Sequence, residues 1–219
     1  MSRRKAQQSL ETHALIIRTA KELFMKSGYR AISTRQISDA CGLTQPALYH
    51  HFADKQSIYV EVMLSICEGT KHILERIIRR EPDIKPCLYQ ITYYMMANHP
   101  EDLSRMFHDI RHELSPQHQR TIYERWREAY LVPVISVFEE GQRNGSLRSS
   151  SQFGVDPENA ARLLMGMINQ SLASASTGAA FVNSASAPAT SSRDWENTSK
   201  MLVNVLLFGL SVDNRLSSD

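Results

Sequence analysis

The 219-residue chain is poor in cysteine, with Cys41, Cys67 and Cys87 odd in number and widely spaced. That count gives no support for a disulfide framework, so reduced thiols in a cytoplasmic protein are the expectation. Long apolar runs are missing: nothing approaches eighteen uninterrupted hydrophobic residues, and no membrane span is indicated. The N-terminus carries charge without a hydrophobic signal region, which leaves secretion unindicated as well. Strand-like alternation, internal repeats and a glycine-rich phosphate loop are also missing, so an all-α chain is expected. At 42% hydrophobic residues it can bury a small head and a larger second domain.

What is present concentrates in residues 33 to 55. Ser33 or Thr34 can cap a first helix, with Gln36 at the capping-box distance from Ser33. Ile37, Ala40 and Cys41 are its expected buried stripe. Gly42 stands where the chain must leave that helix with positive φ, Leu43 can plug the angle, and Thr44 can cap a second helix. Pro46 falls in the first turn of the second helix, where a missing N–H loses no hydrogen bond. Leu48 and Phe52 face inward, which leaves Gln45, Pro46, Ala47, Tyr49, His50 and His51 exposed or at the leading end. Two capped helices around a three-residue turn form a helix-turn-helix, whose second helix enters a DNA major groove. The plainer alternative, a capped surface helix with Tyr49 half buried, is outweighed by the flanking signals.

The first of these is electrostatic. Residues 1 to 55 carry nine Lys or Arg against four acids, a net of +5, whereas the whole chain is only +2. Such concentration is the footprint of a phosphate-facing head on a body that has no contact with nucleic acid. The second signal is a helix from about Ser9 or Thr12 to Ser27, striped with Ile16, Ala20, Leu23 and Phe24 and stopped by Gly28. Tyr29 and Ile32 are expected to seal the core of this three-helix head.

Residues 12 to 60 resemble the DNA-binding domain of the TetR family of bacterial transcriptional regulators. The resemblance rests on Gly28-Tyr29, Ser33-Thr34, Ile37, Gly42-Leu43-Thr44, Leu48-Tyr49, His51-Phe52 and Lys55. It continues loosely through Phe138–Gln142, Gly145–Arg148 and Leu206–Leu210. It implies base or methyl contacts from Gln45, Pro46 and Ala47 and backbone contacts from Tyr49, His51 and Lys55. Arg35 matches a position that often reaches DNA. The chemistry agrees, since Gln can pair with an adenine edge while Tyr and Lys suit phosphate oxygens. Thr44 and His50 complete the expected DNA-facing set. Ser38, where the family commonly has Ala, and His50, where larger or cationic side chains are frequent, are departures.

Beyond this head, the spacing predicts a lever helix capped by Asp54 and running to about Arg80. Further helices follow at about 84–98, 101–113 and 117–143, the last kinked or split at Pro133. Two more are expected, from about Pro157 to Ala175, capped by Asp156, and from about Asp194 to Ser211. A Ser-, Ala- and Thr-rich loop at 176–193 separates them. The expected fold is therefore all-α with about nine helices. A helix-turn-helix domain with a basic N-terminal arm covers residues 1–54, and an effector-binding and dimerisation domain covers 55–219.

The last two helices carry apolar surface in excess of one inward stripe, and the resemblance implies a two-fold four-helix interface there. A homodimer reading a palindromic operator follows. Met and aromatic side chains of the second domain are compatible with a largely apolar pocket. Tyr93, Met96, Phe107, His108, Trp126, Tyr130, Met165 and Asn169 are its candidate lining residues. The resemblance implies a small-molecule effector that shifts the lever helix, and release of a repressor is the expected outcome. No cofactor or metal is required. Control by a protein partner is the alternative. A metal-dependent hydrolase remains a further one, because His108-Asp109-Ile110-Arg111-His112 sets two imidazoles on one helical face beside a carboxylate.

Overall fold

The computed structural model describes the backbone of residues 2–98, 102–153, 155–181 and 192–210, and the side chains of 5–98, 108–151, 155–172 and 194–208. The helices are α1 (Ser2–Ser27), α2 (Thr34–Ala40), α3 (Gln45–Tyr49), α4 (Lys55–Arg80), α5 (Ile84–Asn98), α6 (Asp102–Glu113), α7 (Pro116–Trp126), α8 (Val132–Arg143), α9 (Ser150–Phe153), α10 (Pro157–Phe181) and α11 (Ser192–Leu210), with a π-helical turn over Arg127–Leu131. The fold is all-α, and no β-strand occurs among the described residues.

Packing sorts the chain into two compact units. One takes the described residues up to Gly69 together with Asp102–Trp126, and the other takes those from Thr70 to 98 and from Arg127 onward. In the first unit, Ile16, Ala20 and Phe24 of α1 meet Tyr29, Ile32, Ile37, Leu48, Phe52, Ile58, Tyr59 and Val62 in one core. Leu114 and Ile122 join that core from the α6–α7 region, which no local pattern in residues 1–54 announces. In the second unit α5 packs on α11 and α8 on α10. Their buried Leu88, Ile91, Met96, Val134, Phe138, Leu164, Ile168 and Val203 supply the apolar burial that holds the unit together.

Several boundaries depart from the sequence expectation for identifiable reasons. The first helix begins at Ser2 and not near Ser9. Residues 3–8 are good helix formers with no proline or glycine to stop it. Ala40 is exposed while Ser38 is fully buried. The inner face of α2 is therefore Ile37 and Ser38, and Ser38 tolerates burial because its hydroxyl donates to the Arg35 carbonyl at 2.9 Å. Pro133 does not break its helix at its own position. The disturbance is absorbed one turn earlier by the π-helical residues 127–131, which include residue 129, whose carbonyl a proline four positions on would crowd. The helix expected to end near Ala175 continues to Phe181, into the Ser/Ala-rich stretch whose alanines favour it. Residues 182–191 and the side chains of Arg3, Arg4, Met106 and Phe107 lie outside the described residues.

Candidate nucleic-acid interface

Each turn of the head is closed by a short-range hydrogen bond that its sequence dictates. Ser33 Oγ accepts from the Gln36 N–H at 3.2 Å, and the Gln36 side chain accepts the Ser33 N–H at 2.8 Å, which completes the capping box of α2. Gly42 adopts φ +67°, which turns the chain so that the Leu43 N–H reaches the Ser38 carbonyl at 2.8 Å. Thr44 Oγ1 then accepts from the Ala47 N–H at 3.3 Å and starts α3. Asp54 repeats the device at α4, accepting from the Ser57 N–H at 2.7 Å and from its hydroxyl at 2.6 Å. These bonds hold the Asp54 carboxyl below its ordinary range.

With Leu48 and Phe52 buried, α3 presents its other side chains outward. Thr44, Gln45, Pro46, Tyr49 and His50 are exposed, and Ala47 and His51 are half-buried. Arg35 projects from the first turn of α2 and is 78% exposed, with Asp39 no nearer than 3.9 Å. So long and exposed a pair contributes little and leaves the guanidinium available. Tyr49 is steadied by a hydroxyl contact of 3.1 Å with Thr34. Thr34 is thus a positioning residue; once Ser33 caps α2, Thr34 is the spare hydroxyl. The His13 ring stacks on Phe52 with centres 4.7 Å apart, lies 6.2 Å from the His51 ring, and has Glu61 at 3.4 Å.

Lys55 is less free than its place in the motif suggests. Its ammonium lies 4.0 Å above the centre of the Tyr29 ring, a cation–π contact. Burial pushes the Lys55 pKa down, and the carboxylates of Glu113 and Asp109 push it back up. Tyr29 itself is raised to about 12, first by burial and then by Asp54, Glu113 and Asp109. The loop that carries Tyr29 is tied to α6 twice: the Tyr29 N–H donates to Asp109 Oδ2 at 3.1 Å, and Arg30 Nε donates to Glu113 Oε1 at 2.6 Å. Motif reading met Asp109 only as the carboxylate between His108 and His112 and did not single out Glu113, because contacts across some eighty residues leave no local signal.

The expected pocket residues are not gathered into one place. Met96, Tyr130 and Met165 are buried in the second unit, where the Thr70 hydroxyl donates to the Tyr130 hydroxyl at 3.1 Å. Tyr93 is half-buried in that unit, in a cleft of about 370 Å³ with Glu81, Tyr89 and Glu196, and Asn169 is exposed on α10. Trp126 and His108 belong to the first unit; Trp126 is half-buried against Tyr123 and His108 is exposed. The Phe107 side chain is among those not described. His108 and His112 do meet on one face of α6, but Asp109 is turned inward to the Tyr29 N–H. Among the described residues no three His, Cys, Asp or Glu side chains converge as a metal site.

Comparison with known proteins bears on the same segment. The profile of bacterial regulatory proteins of the tetR family matches residues 16–62, the span from α1 into α4. The chain is 26% identical over 147 residues to the HTH-type transcriptional repressor KstR2 of Rhodococcus jostii (strain RHA1), covering 66% of this chain and 70% of that protein. In fold it is similar to a Mesorhizobium loti MAFF303099 protein classed among TetR-family transcriptional regulators. That match has a TM-score of 0.75 and 22% identity, over 93% of this chain and 98% of that one. It is also similar to the transcriptional regulator FadR of Bacillus subtilis in complex with stearoyl-CoA, with a TM-score of 0.69 and 17% identity over 90% and 98% of the two chains.

Proposed function

The chain belongs to the TetR family of bacterial transcriptional regulators, a family of DNA-binding proteins and not of enzymes, and from that premise we propose that it is a homodimeric repressor of a palindromic operator, released by a largely apolar small molecule. The observation that carries this reading is the outward face of the capped pair α2–α3. Arg35, Gln45, Pro46 and Tyr49 are all exposed there, while Leu48 and Phe52 are locked in the core. Gln45 and the apolar faces of Pro46 and Ala47 read base edges and thymine methyls. Arg35, Thr44, Tyr49, His50, His51 and Lys55 position the head on phosphates. In this division of labour residues 1–54 read DNA, and the rest of the chain senses and dimerises.

One short helix reads too few base pairs for specificity, and a two-fold dimer doubles them, with half-sites about one turn (~10 bp) or more apart. The second unit offers a surface for that dimer. Leu163 of α10 and Met201, Val205 and Phe208 of α11 are 52%, 54%, 61% and 77% exposed, a concentration of large apolar side chains that a lone chain would leave in water. Small-molecule control is in keeping with the interior of the same unit, where Met95, Met96, Met165 and Tyr130 are buried and the Thr92 hydroxyl is buried without a hydrogen-bond partner. The stearoyl-CoA held by the similarly folded FadR is in keeping with an apolar effector. Cytoplasmic residence goes with this function, and no described helix is long and apolar enough to cross a membrane.

The test is selection from a random DNA library by the purified protein, with sedimentation in parallel. A palindromic consensus bound by a dimer is expected. A monomer that enriches no consensus overturns the reading. Native mass spectrometry of the same sample identifies the effector as an added organic mass.

A further inference from the structure

His108 and His112 stand four residues apart near the C-terminal end of α6, so one helical face carries both imidazoles. Both are exposed, their ring centres are 4.4 Å apart, and neither has a hydrogen bond or ion pair to another described residue. The operator-reading function gives them no task.

The backbone beneath them is held from three sides. Asp109 accepts the Tyr29 N–H at 3.1 Å, Glu113 holds Arg30, and the Gln119 side-chain amide donates to the Leu114 and Arg111 carbonyls at 2.9 and 3.3 Å. A pair of ligands on so fixed a turn loses little freedom on closing around an ion. With one nitrogen of each ring turned to the ion, the ring separation favours one coordination angle. A metal ~2.0–2.1 Å from one nitrogen of each ring lies ~3.2 Å from each ring centre. Centres 4.4 Å apart therefore subtend ~90° at the metal, whereas a tetrahedral angle would set them ~5.2 Å apart.

We propose that His108 and His112 form a two-imidazole chelate for a first-row divalent ion of tetragonal or octahedral preference, Ni²⁺ or Cu²⁺. Water fills the remaining positions, since no third His, Cys, Asp or Glu side chain converges there among the described residues. Each ring coordinates the ion through one neutral imidazole nitrogen. The charged neighbours on that turn are Arg111, Asp109 and Glu113. The two carboxylates are engaged with the Tyr29–Arg30 loop, and Arg111 is the exposed cation that tempers the affinity.

The experiment titrates NiCl₂ into untagged, chelator-treated full-length protein by calorimetry at pH 7.5, with ZnCl₂ as the comparison ion. One Ni²⁺ per chain is expected, with His108→Ala and His112→Ala each weakening binding by about tenfold or more. Ni²⁺ is also expected to raise the melting temperature of the wild type but not of either variant. Because both side chains are exposed, circular dichroism of the variants should match the wild type, and a matched spectrum separates lost ligation from lost folding. No saturable Ni²⁺ binding, or binding that survives in His108→Ala/His112→Ala, overturns the site. A Zn²⁺ affinity above that for Ni²⁺ overturns the geometric selection.

Discussion

The carboxylate of Asp109 on α6 accepts the main-chain N–H of Tyr29 at 3.1 Å, in a buried contact between residues eighty positions apart. The Tyr29 ring in turn packs against Phe24 and Tyr59 and supports the Lys55 ammonium. Together with the Glu113–Arg30 pair, this acceptor fixes the loop between α1 and the helix-turn-helix. Asp109→Ala leaves the Tyr29 N–H buried and unpaired, and a loss of about 1–3 kcal/mol in urea unfolding is expected. Asp109→Asn keeps an acceptor oxygen and should lose distinctly less. Equal losses from the two substitutions would show that charge, and not the hydrogen bond, is what Asp109 contributes.

The exposed face of α3 separates two kinds of DNA contact. Gln45→Ala should weaken binding by about 1–3 kcal/mol for the preferred base pair at its position and little for the alternatives, so that the preference flattens there. Tyr49→Ala and Lys55→Ala should weaken every operator variant by a similar factor. Affinities for a panel of single-base operator variants, measured at one salt concentration, separate these patterns. A uniform loss from Gln45→Ala would remove its assignment as a base reader.

These contrasts also mark what could be read from the chain alone. The caps at Ser33, Thr44 and Asp54 and the φ +67° of Gly42 were legible because each is decided within three or four residues. The burial of Ile37, Leu48 and Phe52 followed from helical spacing for the same reason. Ala40, expected in the buried stripe, is exposed and Ser38 is buried, because which flank of a two-turn helix turns inward depends on its neighbours. The holdings at Tyr29 and Arg30 depend on α6, and no local pattern encodes a partner that far along the chain. The expected pocket residues were placed by residue type, and type alone could not tell the fully buried Met96 from the exposed Asn169.

The cysteines should divide by reactivity. Burial raises both Cys67 and Cys87 to about 11, so at pH 8 only about one in a thousand of each is thiolate, the nucleophilic form. Cys41 is half-buried at the end of α2 and more accessible than either. A disulfide reagent such as DTNB at pH 8 should label one thiol per native chain quickly and all three only in guanidinium. The sign follows from the raised values: labelling of Cys67 and Cys87 accelerates as pH climbs toward 11 and is suppressed below it. Three fast thiols in the native protein would contradict the burial of these two side chains.

Two buried threonines of the second unit predict stability changes of opposite sign. Thr92 of α5 is fully buried and its hydroxyl has no partner, whereas the Thr70 hydroxyl donates to Tyr130 at 3.1 Å. Valine matches threonine in shape and replaces the hydroxyl by a methyl group. Thr92→Val removes a polar group that was desolvated without compensation and should stabilise the protein by about 1 kcal/mol. Thr70→Val deletes a donor and leaves the buried Tyr130 hydroxyl without it, and should destabilise by about 1 kcal/mol or more. Urea midpoints at constant slope measure both, and the difference in sign is the informative quantity, since general packing errors would move the two variants the same way. If Thr92→Val destabilises as much as Thr70→Val, the Thr92 hydroxyl makes a hydrogen bond in solution. The interior around α5 would then carry a satisfied polar network and not an unpaired group.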